Sequence, residues 1–208
     1  MGFLRKLLFP LAILYGFVTA LRNMLYDRGW LQSVSFDVPV IAVGNLSVGG
    51  TGKSPMVEYL IRLLQPDYRI AVLSRGYKRQ THGFRLASKN DSAETLGDEP
   101  FQFYKKFPAI RVAVDADRVR GIKSLLNLPD APQVILLDDA FQHRRVKAGY
   151  YIVLTAYGDL YADDFMLPTG NLREGWRGAK RANCIVVTKC PSNLSDAEQD
   201  LIRKKLQI

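Results

Sequence analysis

The chain has 208 residues, of which 48% are hydrophobic, which suits one α/β domain with little left over for a second. Its net charge of +9 favours an acidic partner, and composition does not choose among a nucleotide, a phosphorylated substrate, an anionic lipid surface and a nucleic acid. The two cysteines, Cys184 and Cys190, have neither a metal-binding nor a C-x-x-C spacing, so we expect reduced structural thiols and exclude a disulfide framework.

The N-terminal region contains an apolar helix candidate. Residues Leu7–Leu21 have no charge, are apolar on nearly every helical face, and are flanked by Arg5 and Lys6 on one side and Arg22 on the other. A helix of this length would be about 22 Å long, short of the roughly 30 Å hydrocarbon core, and Pro10 falls inside it. We therefore expect a helix on a membrane surface. The alternatives are a helix packed on its own domain and a secretory signal or membrane span.

A glycine-rich loop follows the apolar run that begins at Val38 and precedes a segment with apolar residues at helical spacing. The pattern G-x-x-x-x-G-K-[ST] is met except that Ser47 replaces the first glycine, and the strand–loop–helix setting is typical of a P-loop. Backbone N–H groups and the helix dipole would hold phosphate oxygens, Lys53 would reach the β- and γ-phosphates, and Ser54 would bind Mg²⁺. The predicted nucleotide-binding residues are Ser47, Val48, Gly49, Gly50, Thr51, Gly52, Lys53 and Ser54.

A second strand is predicted at Arg69–Ser74, and a basic loop follows it. Arg75, Lys78 and Arg79 lie in this loop, with Gly76 for flexibility. The C-terminal ends of strands face the ligand crevice in open α/β sheets. The loop therefore either contacts a phosphate or substrate, or is a solvated charge cluster.

Charged residues stand at the starts of two predicted helices. Asp98 resembles an N-cap with Pro100 in the first turn, so capping is its ordinary role and catalysis the alternative. The second helix, Asp115–Leu126, follows a strand and has Arg118 and Arg120 in its first turns. Cations at a helix N-terminus oppose the helix dipole, which indicates that these arginines are placed for an anion.

An apolar run at Gln133–Leu137 ends in Asp138 and Asp139, which is the Walker B form. A strand buried on both faces would deliver a carboxylate to Mg²⁺ beside Ser54, and two loop-starting acids are the structural alternative. His143 follows with its neighbouring arginines. They could stabilise a transferring phosphate or bind an anionic substrate, although a lone loop histidine more often does neither.

The remaining pattern completes the fold prediction. Strands are predicted at Tyr150–Leu154 and Cys184–Lys189, and a surface helix at Ser195–Leu206, with Ser195 as cap and Glu198 as its capping-box partner. Alternating strands and helices predict an α/β fold, a P-loop NTPase-like parallel sheet with helices on both faces, preceded by the apolar helix. We divide the chain into a membrane-associating segment, residues 1–30, and a P-loop core, residues 31–208.

Four motifs together resemble the tetraacyldisaccharide 4'-kinase family of lipid A biosynthesis. They are Gly44–Pro55, Ser74–Tyr77, Gly97–Pro100 and the string Asp-Asp-Ala-Phe-Gln-His-Arg at 138–144. Their order and spacing match across essentially the whole chain, and that family also has a serine at the position of Ser47. A later segment, 167–174, resembles the family's P-A-G-P-L-R-E, with Thr169 and Asn171 as departures.

The resemblance implies an enzyme that moves the γ-phosphate of ATP to the 4'-hydroxyl of a tetraacyldisaccharide 1-phosphate, using Mg²⁺. It also implies peripheral or monotopic attachment to the cytoplasmic face of the inner membrane, which gives the apolar helix a purpose. Asp98 becomes the group that helps to deprotonate the sugar hydroxyl. With this family as guide, the catalytic residues are Asp98, Lys53, Asp139 and His143, the Mg²⁺ ligands Ser54, Asp138 and Glu99, and the candidate substrate contacts Arg75, Arg118, Arg144 and Arg173.

Members of this family normally continue into a second lobe, which closes over the site and supplies a histidine that partners the catalytic aspartate. We therefore expect this chain to be a fragment that lacks the C-terminal lobe. A second candidate function is a membrane-targeting P-loop ATPase switch without lipid kinase activity, but such proteins usually have an extra lysine early in the loop, and Ser47–Thr51 contains none. Without a stacking-aromatic motif, nucleic-acid binding is not expected.

Overall fold

The computed structural model describes residue 5 and residues 7–206, which form two compact units. Unit 1 contains the described residues up to Leu31, Asn45–Gly52 and the described residues from Ile152 onward, and unit 2 contains Gln32–Gly44 and Lys53–Tyr151. The boundary of a membrane-associating segment at residue 30 stays a prediction. The helices are α1 (Phe9–Asp27), α2 (Lys53–Leu64), α3 (Ala93–Leu96), α4 (Asp98–Lys106), α5 (Arg118–Leu126) and α6 (Asp196–Leu206), with 3₁₀ turns at Tyr161–Asp163 and Trp176–Arg181. The strands are β1 (Val40–Asn45), β2 (Ile70–Ser74), β3 (Arg85–Leu86), β4 (Arg111–Val114), β5 (Val134–Leu137), β6 (Tyr150–Ala156) and β7 (Cys184–Thr188).

The sheet of unit 2 has the strand order β3-β4-β2-β5-β1. Its neighbours pair in parallel, except for the short edge strand β3, which is antiparallel to β4 and was not predicted. Every residue of β2 and β5 is buried, which explains why residues 70–73 and 134–137 are unbroken apolar runs in the sequence. The carboxyl ends of β1, β2 and β5 therefore lie at one edge of the sheet.

Helices cover both faces of this sheet. A buried cluster joins Val119, Ile122 and Leu125 of α5 to alternate strand residues such as Ala71 and Leu73. Helix α4 also contacts β2 and β4, and its fully buried Phe103 lies outside that cluster. The predicted α/β fold, with a mostly parallel sheet and helices on both faces, is confirmed.

Unit 1 contains the parallel pair of strands β6 and β7, in register from Ile152 opposite Cys184 to Ala156 opposite Thr188. The capping box predicted for α6 is present: the Ser195 backbone N–H donates to Glu198 Oε2 at 3.0 Å, and the Glu198 N–H donates to Ser195 Oγ at 3.4 Å. The hydrogen bonds from Ser195 lower the pKa of Glu198. Because a cap depends on residues close in sequence, this feature could be predicted.

Helix α1 differs from its predicted bounds. It begins at Phe9, so that Pro10 occupies its first turn, where no intrahelical N–H is needed, and it continues past Arg22 to Asp27. The Arg22 guanidinium lies 5.2 Å from the Tyr26 ring centroid, a contact one helical turn away. Its 19 residues give about 28 Å, so within the described chain this helix is long and apolar enough to cross a membrane by length and composition. Among the residues of this helix, only Ala12 is buried.

Candidate active site

The glycine-rich loop in unit 1 turns at two glycines with positive φ. Gly49 has φ 121° and Gly52 has φ 87°, conformations that a side chain would strain. A Cβ built at Gly49 or Gly50 meets no described atom within 4 Å, so this side of the loop is open. Such a loop allows an anion to approach the backbone N–H groups closely.

Side chains in unit 1 tie the two ends of this loop together. The Asn45 Nδ2 group donates to Thr51 Oγ1 at 2.8 Å, and the Thr188 hydroxyl donates to the Thr51 carbonyl at 2.8 Å. Asn45 is fully buried. Sequence reasoning missed Asn45, although its place directly between the strand and the glycines was a signal that it holds the loop.

The helix α2 that follows the loop in sequence begins with two of the predicted residues, and both contact acids within unit 2. Lys53 Nζ lies 3.6 Å from Asp139 Oδ1, and the Ser54 hydroxyl donates to Glu99 Oε1 at 2.8 Å. Asp139 has φ 46°, so the chain makes a sharp turn immediately after the end of β5. The structure therefore brings Lys53 together with Asp139, and Ser54 together with Glu99.

Asp138 is the buried acid of this group, with 3% of its surface exposed. Its Oδ2 accepts a hydrogen bond from the Ser74 hydroxyl at 2.7 Å, whereas its Oδ1 accepts none from the described residues. Burial, with the nearby charges of Glu99 and Asp139, raises the pKa of Asp138 to about 6, against the opposing effects of Ser74 and Lys53. Ser74 was missed by the sequence analysis, although it ends the strand next to β5.

The Ser54 hydroxyl and the carboxylates of Asp138 and Glu99 fit a magnesium ion. A buried carboxylate oxygen without a donor needs a positive partner, and Mg²⁺ prefers hydroxyl and carboxylate oxygens while keeping several waters. No group of three or more His, Cys, Asp or Glu in the described range has a metal-binding arrangement. A site with few protein ligands is the kind that Mg²⁺ uses beside substrate phosphates, so the assignment of Ser54, Asp138 and Glu99 stays a prediction that the chemistry supports.

Asp98 is not the N-cap that its sequence context suggested. It is the first residue of α4, Gly97 occupies the cap position with φ 94°, and no side-chain cap hydrogen bond forms. The Asp98 side chain is exposed. The capping interpretation is therefore wrong, and the catalytic role of Asp98 stays a prediction.

The arginines at the start of α5 have partners within the protein. Arg118 is 2% exposed, and its guanidinium donates to the carbonyls of Asp115 at 3.1 Å, Ala116 at 3.4 Å and Asp138 at 3.4 Å. Burial lowers the pKa of Arg118 to about 10. Arg120 pairs with both carboxylate oxygens of Asp115, at 2.8 and 2.7 Å. The anion expected at this helix start is thus Asp115, and a substrate contact by Arg118 stays a prediction.

The other candidates are more accessible. Arg75 is exposed at the end of β2, and His143 and Arg144 are half-buried in the turn after β5. The His143 N–H donates to the Ala140 carbonyl at 2.9 Å, and the Arg144 carbonyl accepts from the Ser33 hydroxyl at 2.6 Å. Arg173, in unit 1, donates to Asn45 Oδ1. Their substrate roles stay predictions.

The parallel sheet, the glycine loop continued in sequence by Lys53 and Ser54, and a buried acid at the end of β5 define the class of P-loop nucleotide-binding proteins. Comparison with known proteins identifies the family within this class. Residues 4–208 match the sequence model of the LpxK family, described as tetraacyldisaccharide-1-P 4'-kinase. The chain belongs to the tetraacyldisaccharide 4'-kinase family.

Individual relatives agree with this match. The chain is 68% identical to the tetraacyldisaccharide 4'-kinase of Flavobacterium johnsoniae, covering 100% of this chain and 61% of that protein. It is 53% identical to that of Bacteroides fragilis, covering 99% and 55%. A crystal structure of LpxK from Aquifex aeolicus in complex with ATP superposes with a TM-score of 0.83 at 42% identity, covering 89% of this chain and 59% of that one. The chain thus spans little more than half the length of these relatives.

Proposed function

We propose that this chain is the nucleotide-binding part of an ATP-dependent kinase that phosphorylates the 4'-hydroxyl of a tetraacyldisaccharide 1-phosphate in lipid A biosynthesis. The observation that carries the proposal is the family match over residues 4–208, which includes the phosphate loop and the acids after β5. The comparisons do not favour the alternative, an ATPase switch.

On the donor side, the residues Ser47–Ser54 would hold the phosphates of ATP. The glycine turn is open at Gly49 and Gly50, where its backbone N–H groups would approach phosphate oxygens, and Lys53 is a cation whose Nζ lies 3.6 Å from Asp139 Oδ1. Ser54, Asp138 and Glu99 would hold Mg²⁺, which when bound neutralises charge on the transferring phosphate. Asp139 therefore acts by positioning Lys53.

On the acceptor side, Asp98 would accept the proton of the sugar 4'-hydroxyl. The hydroxyl oxygen forms a bond to the γ-phosphorus while the bond to the β–γ bridging oxygen breaks and ADP leaves. Asp98 lies in the first turn of α4, and its exposure leaves it accessible to the sugar hydroxyl. His143, Arg75 and Arg144 would stabilise negative charge on the phosphates of either substrate.

Helix α1 supports a membrane location for an acylated substrate. Large apolar side chains on this helix are mostly solvent-exposed, for example Leu14 at 59% and Phe17 at 65%. Such a surface is typical of a helix that lies in a lipid interface. We propose peripheral or monotopic attachment to the cytoplasmic face of the inner membrane, where ATP is available.

The test is transfer of labelled γ-phosphate from Mg²⁺-ATP to tetraacyldisaccharide 1-phosphate in detergent micelles. Two forms are compared: the chain itself, and the chain joined to the C-terminal remainder of the Flavobacterium johnsoniae relative. The joined form is expected to label the lipid, and a lipid that already has a 4'-phosphate is the matched negative control. Failure of the joined form to label lipid would refute the proposal, and nucleotide-dependent dimerisation with ATP hydrolysis alone would favour the ATPase switch.

A further inference from the structure

Arg173 contacts the phosphate loop within unit 1. Its guanidinium donates to Asn45 Oδ1, so the amide group of Asn45 is oriented with Nδ2 toward Thr51. The backbone of the same segment pairs with the loop: the Arg173 N–H donates to the Leu46 carbonyl at 2.7 Å, and the Val48 N–H donates to the Asn171 carbonyl at 2.8 Å. Side chain and backbone therefore both fix the first half of the loop.

The Arg173 segment is in turn held from behind. The Tyr15 hydroxyl of α1 donates to the Arg173 carbonyl at 2.9 Å. The next residue, Glu174, is buried, with 3% of its surface exposed, and accepts hydrogen bonds from Asn23 at 2.9 Å and from Arg181 at 2.9 and 2.8 Å. These contacts hold the Arg173 carbonyl and the neighbouring Glu174 side chain, and so keep this segment in place beside the loop.

We propose that Arg173 is a positioning residue for the phosphate loop, which it orients through Asn45 and Thr51, and that it is not a contact to the lipid substrate. This inference rests on the proposed function, since it takes the loop to bind nucleotide phosphates. Preorganised N–H groups bind phosphate well only when their geometry is held. Loss of Arg173 should therefore weaken nucleotide binding without changing lipid binding.

The test is calorimetric titration of the whole chain with Mg²⁺ and adenylyl imidodiphosphate, a non-hydrolysable ATP analogue. Asn45→Ala and Arg173→Ala are each expected to raise the Kd about tenfold, and the double variant to raise it hardly more, because both remove one chain of hydrogen bonds. Arg173→Lys should recover part of the affinity. Arg203→Ala is the control, since the side chain of this arginine is 68% exposed and pairs with Asp200, an exposed acid on its own helix.

Several results would overturn the inference. A double variant whose loss is the product of the single losses would mean that the two residues act independently. Unchanged nucleotide Kd with weakened binding of tetraacyldisaccharide 1-phosphate micelles would make Arg173 a substrate contact. If the unsubstituted chain binds no nucleotide analogue, the proposed function and this inference fail together, whereas binding that both alanine variants leave unchanged refutes the inference alone.

A second pair of variants keeps the test decisive if Asn45→Ala does not fold. Thr51→Val has the same shape as threonine but lacks the hydroxyl that accepts from Asn45, whereas Thr51→Ser keeps it. Thr51→Val should bind the analogue about tenfold more weakly than Thr51→Ser does. Equal affinities of the two variants, with equal thermal midpoints, would contradict the relay through Asn45.

Discussion

Replacing Asp138 by asparagine should remove a pH-dependent destabilisation of the metal-free chain and abolish the proposed kinase activity. The carboxylate is 3% exposed, and burial raises its pKa from 3.8 to about 6. At about 1.4 kcal/mol for each pKa unit, the buried charge costs the folded chain about 3 kcal/mol above both pKa values. The variant Asp138→Asn removes this cost, since the amide has the same shape and has no charge.

The sign of the pH dependence follows from proton linkage. Between the unfolded pKa of 3.8 and the folded pKa of about 6, the folded chain binds more protons than the unfolded chain. Its free energy of unfolding therefore falls as pH rises through this window and stays low above it. About half of the effect, or ~1.4 kcal/mol, develops between about pH 5 and pH 8. The stability advantage of the variant should grow by that amount over this range.

The assay is urea unfolding followed by far-ultraviolet circular dichroism, in EDTA, at both pH values. Comparing the variant with the unsubstituted chain cancels the titrating groups that do not interact with Asp138. Asp67→Asn is the control, because Asp67 is exposed in the turn after α2 of the same unit. If the new Nδ2 group finds no acceptor, the variant loses about 1–3 kcal/mol of stability at every pH. This loss does not change how the stability difference between the two proteins varies with pH.

Excess Mg²⁺ supplies the second arm of the experiment. The metal should raise the stability of the unsubstituted chain at pH 8 and leave Asp138→Asn unchanged, because a ligand stabilises only the state that binds it. An advantage of the variant that is equal at both pH values would refute the claim that burial destabilises the carboxylate. Equal responses to Mg²⁺ would remove Asp138 from the metal site.

Three further predictions address the other site residues and helix α1. Asp98→Asn should lower turnover of the kinase by about 10²–10⁴-fold and leave the KM for ATP unchanged, whereas a parallel fall in thermal midpoint would indicate a structural role. Leu14→Glu should reduce sedimentation of the protein with anionic vesicles. Leu63→Glu should not, because Leu63 is a similarly exposed leucine on α2. Equal sedimentation of the two variants would contradict the membrane role of α1. Arg118→Met should lower the free energy of unfolding by about 2–4 kcal/mol, because it leaves backbone carbonyls without donors. Unchanged stability together with a raised KM for the lipid would instead support a substrate contact by Arg118.

The sheet could be predicted because its signals are local. The strand Val134–Leu137 is apolar at every position, which is the pattern of a strand buried on both faces. The two-residue strand Arg85–Leu86 has too little sequence to show a pattern, and its pairing depends on β4 rather than on itself. Helix α1 was ended too early in the prediction because Arg22 was taken as a flank, although a charged residue on an exposed helix face does not stop a helix.

The phosphate loop and the paired acids could also be recognised from local sequence. The residues that contact them could not, because they are far away in the chain. Ser74 contacts Asp138 from 64 residues away, and Arg173 contacts Asn45 from 128 residues away. No spacing rule links residues so far apart, so sequence reasoning could name Arg173 without finding what it binds. Asp98 was misread as a cap because Gly97, which has no side chain to recognise, occupies that position instead.

The hydrogen bond from Tyr15 to the Arg173 carbonyl has a practical consequence for handling this protein. An exposed apolar helix invites removal when a detergent-free sample is wanted, but cutting the chain after Leu21 would also remove Tyr15 and the support behind the loop. Polar substitutions restricted to exposed positions, such as Phe17, would improve solubility and retain that hydrogen bond. A shortened sample that binds nucleotide poorly would then report damage from the cut rather than a property of the kinase.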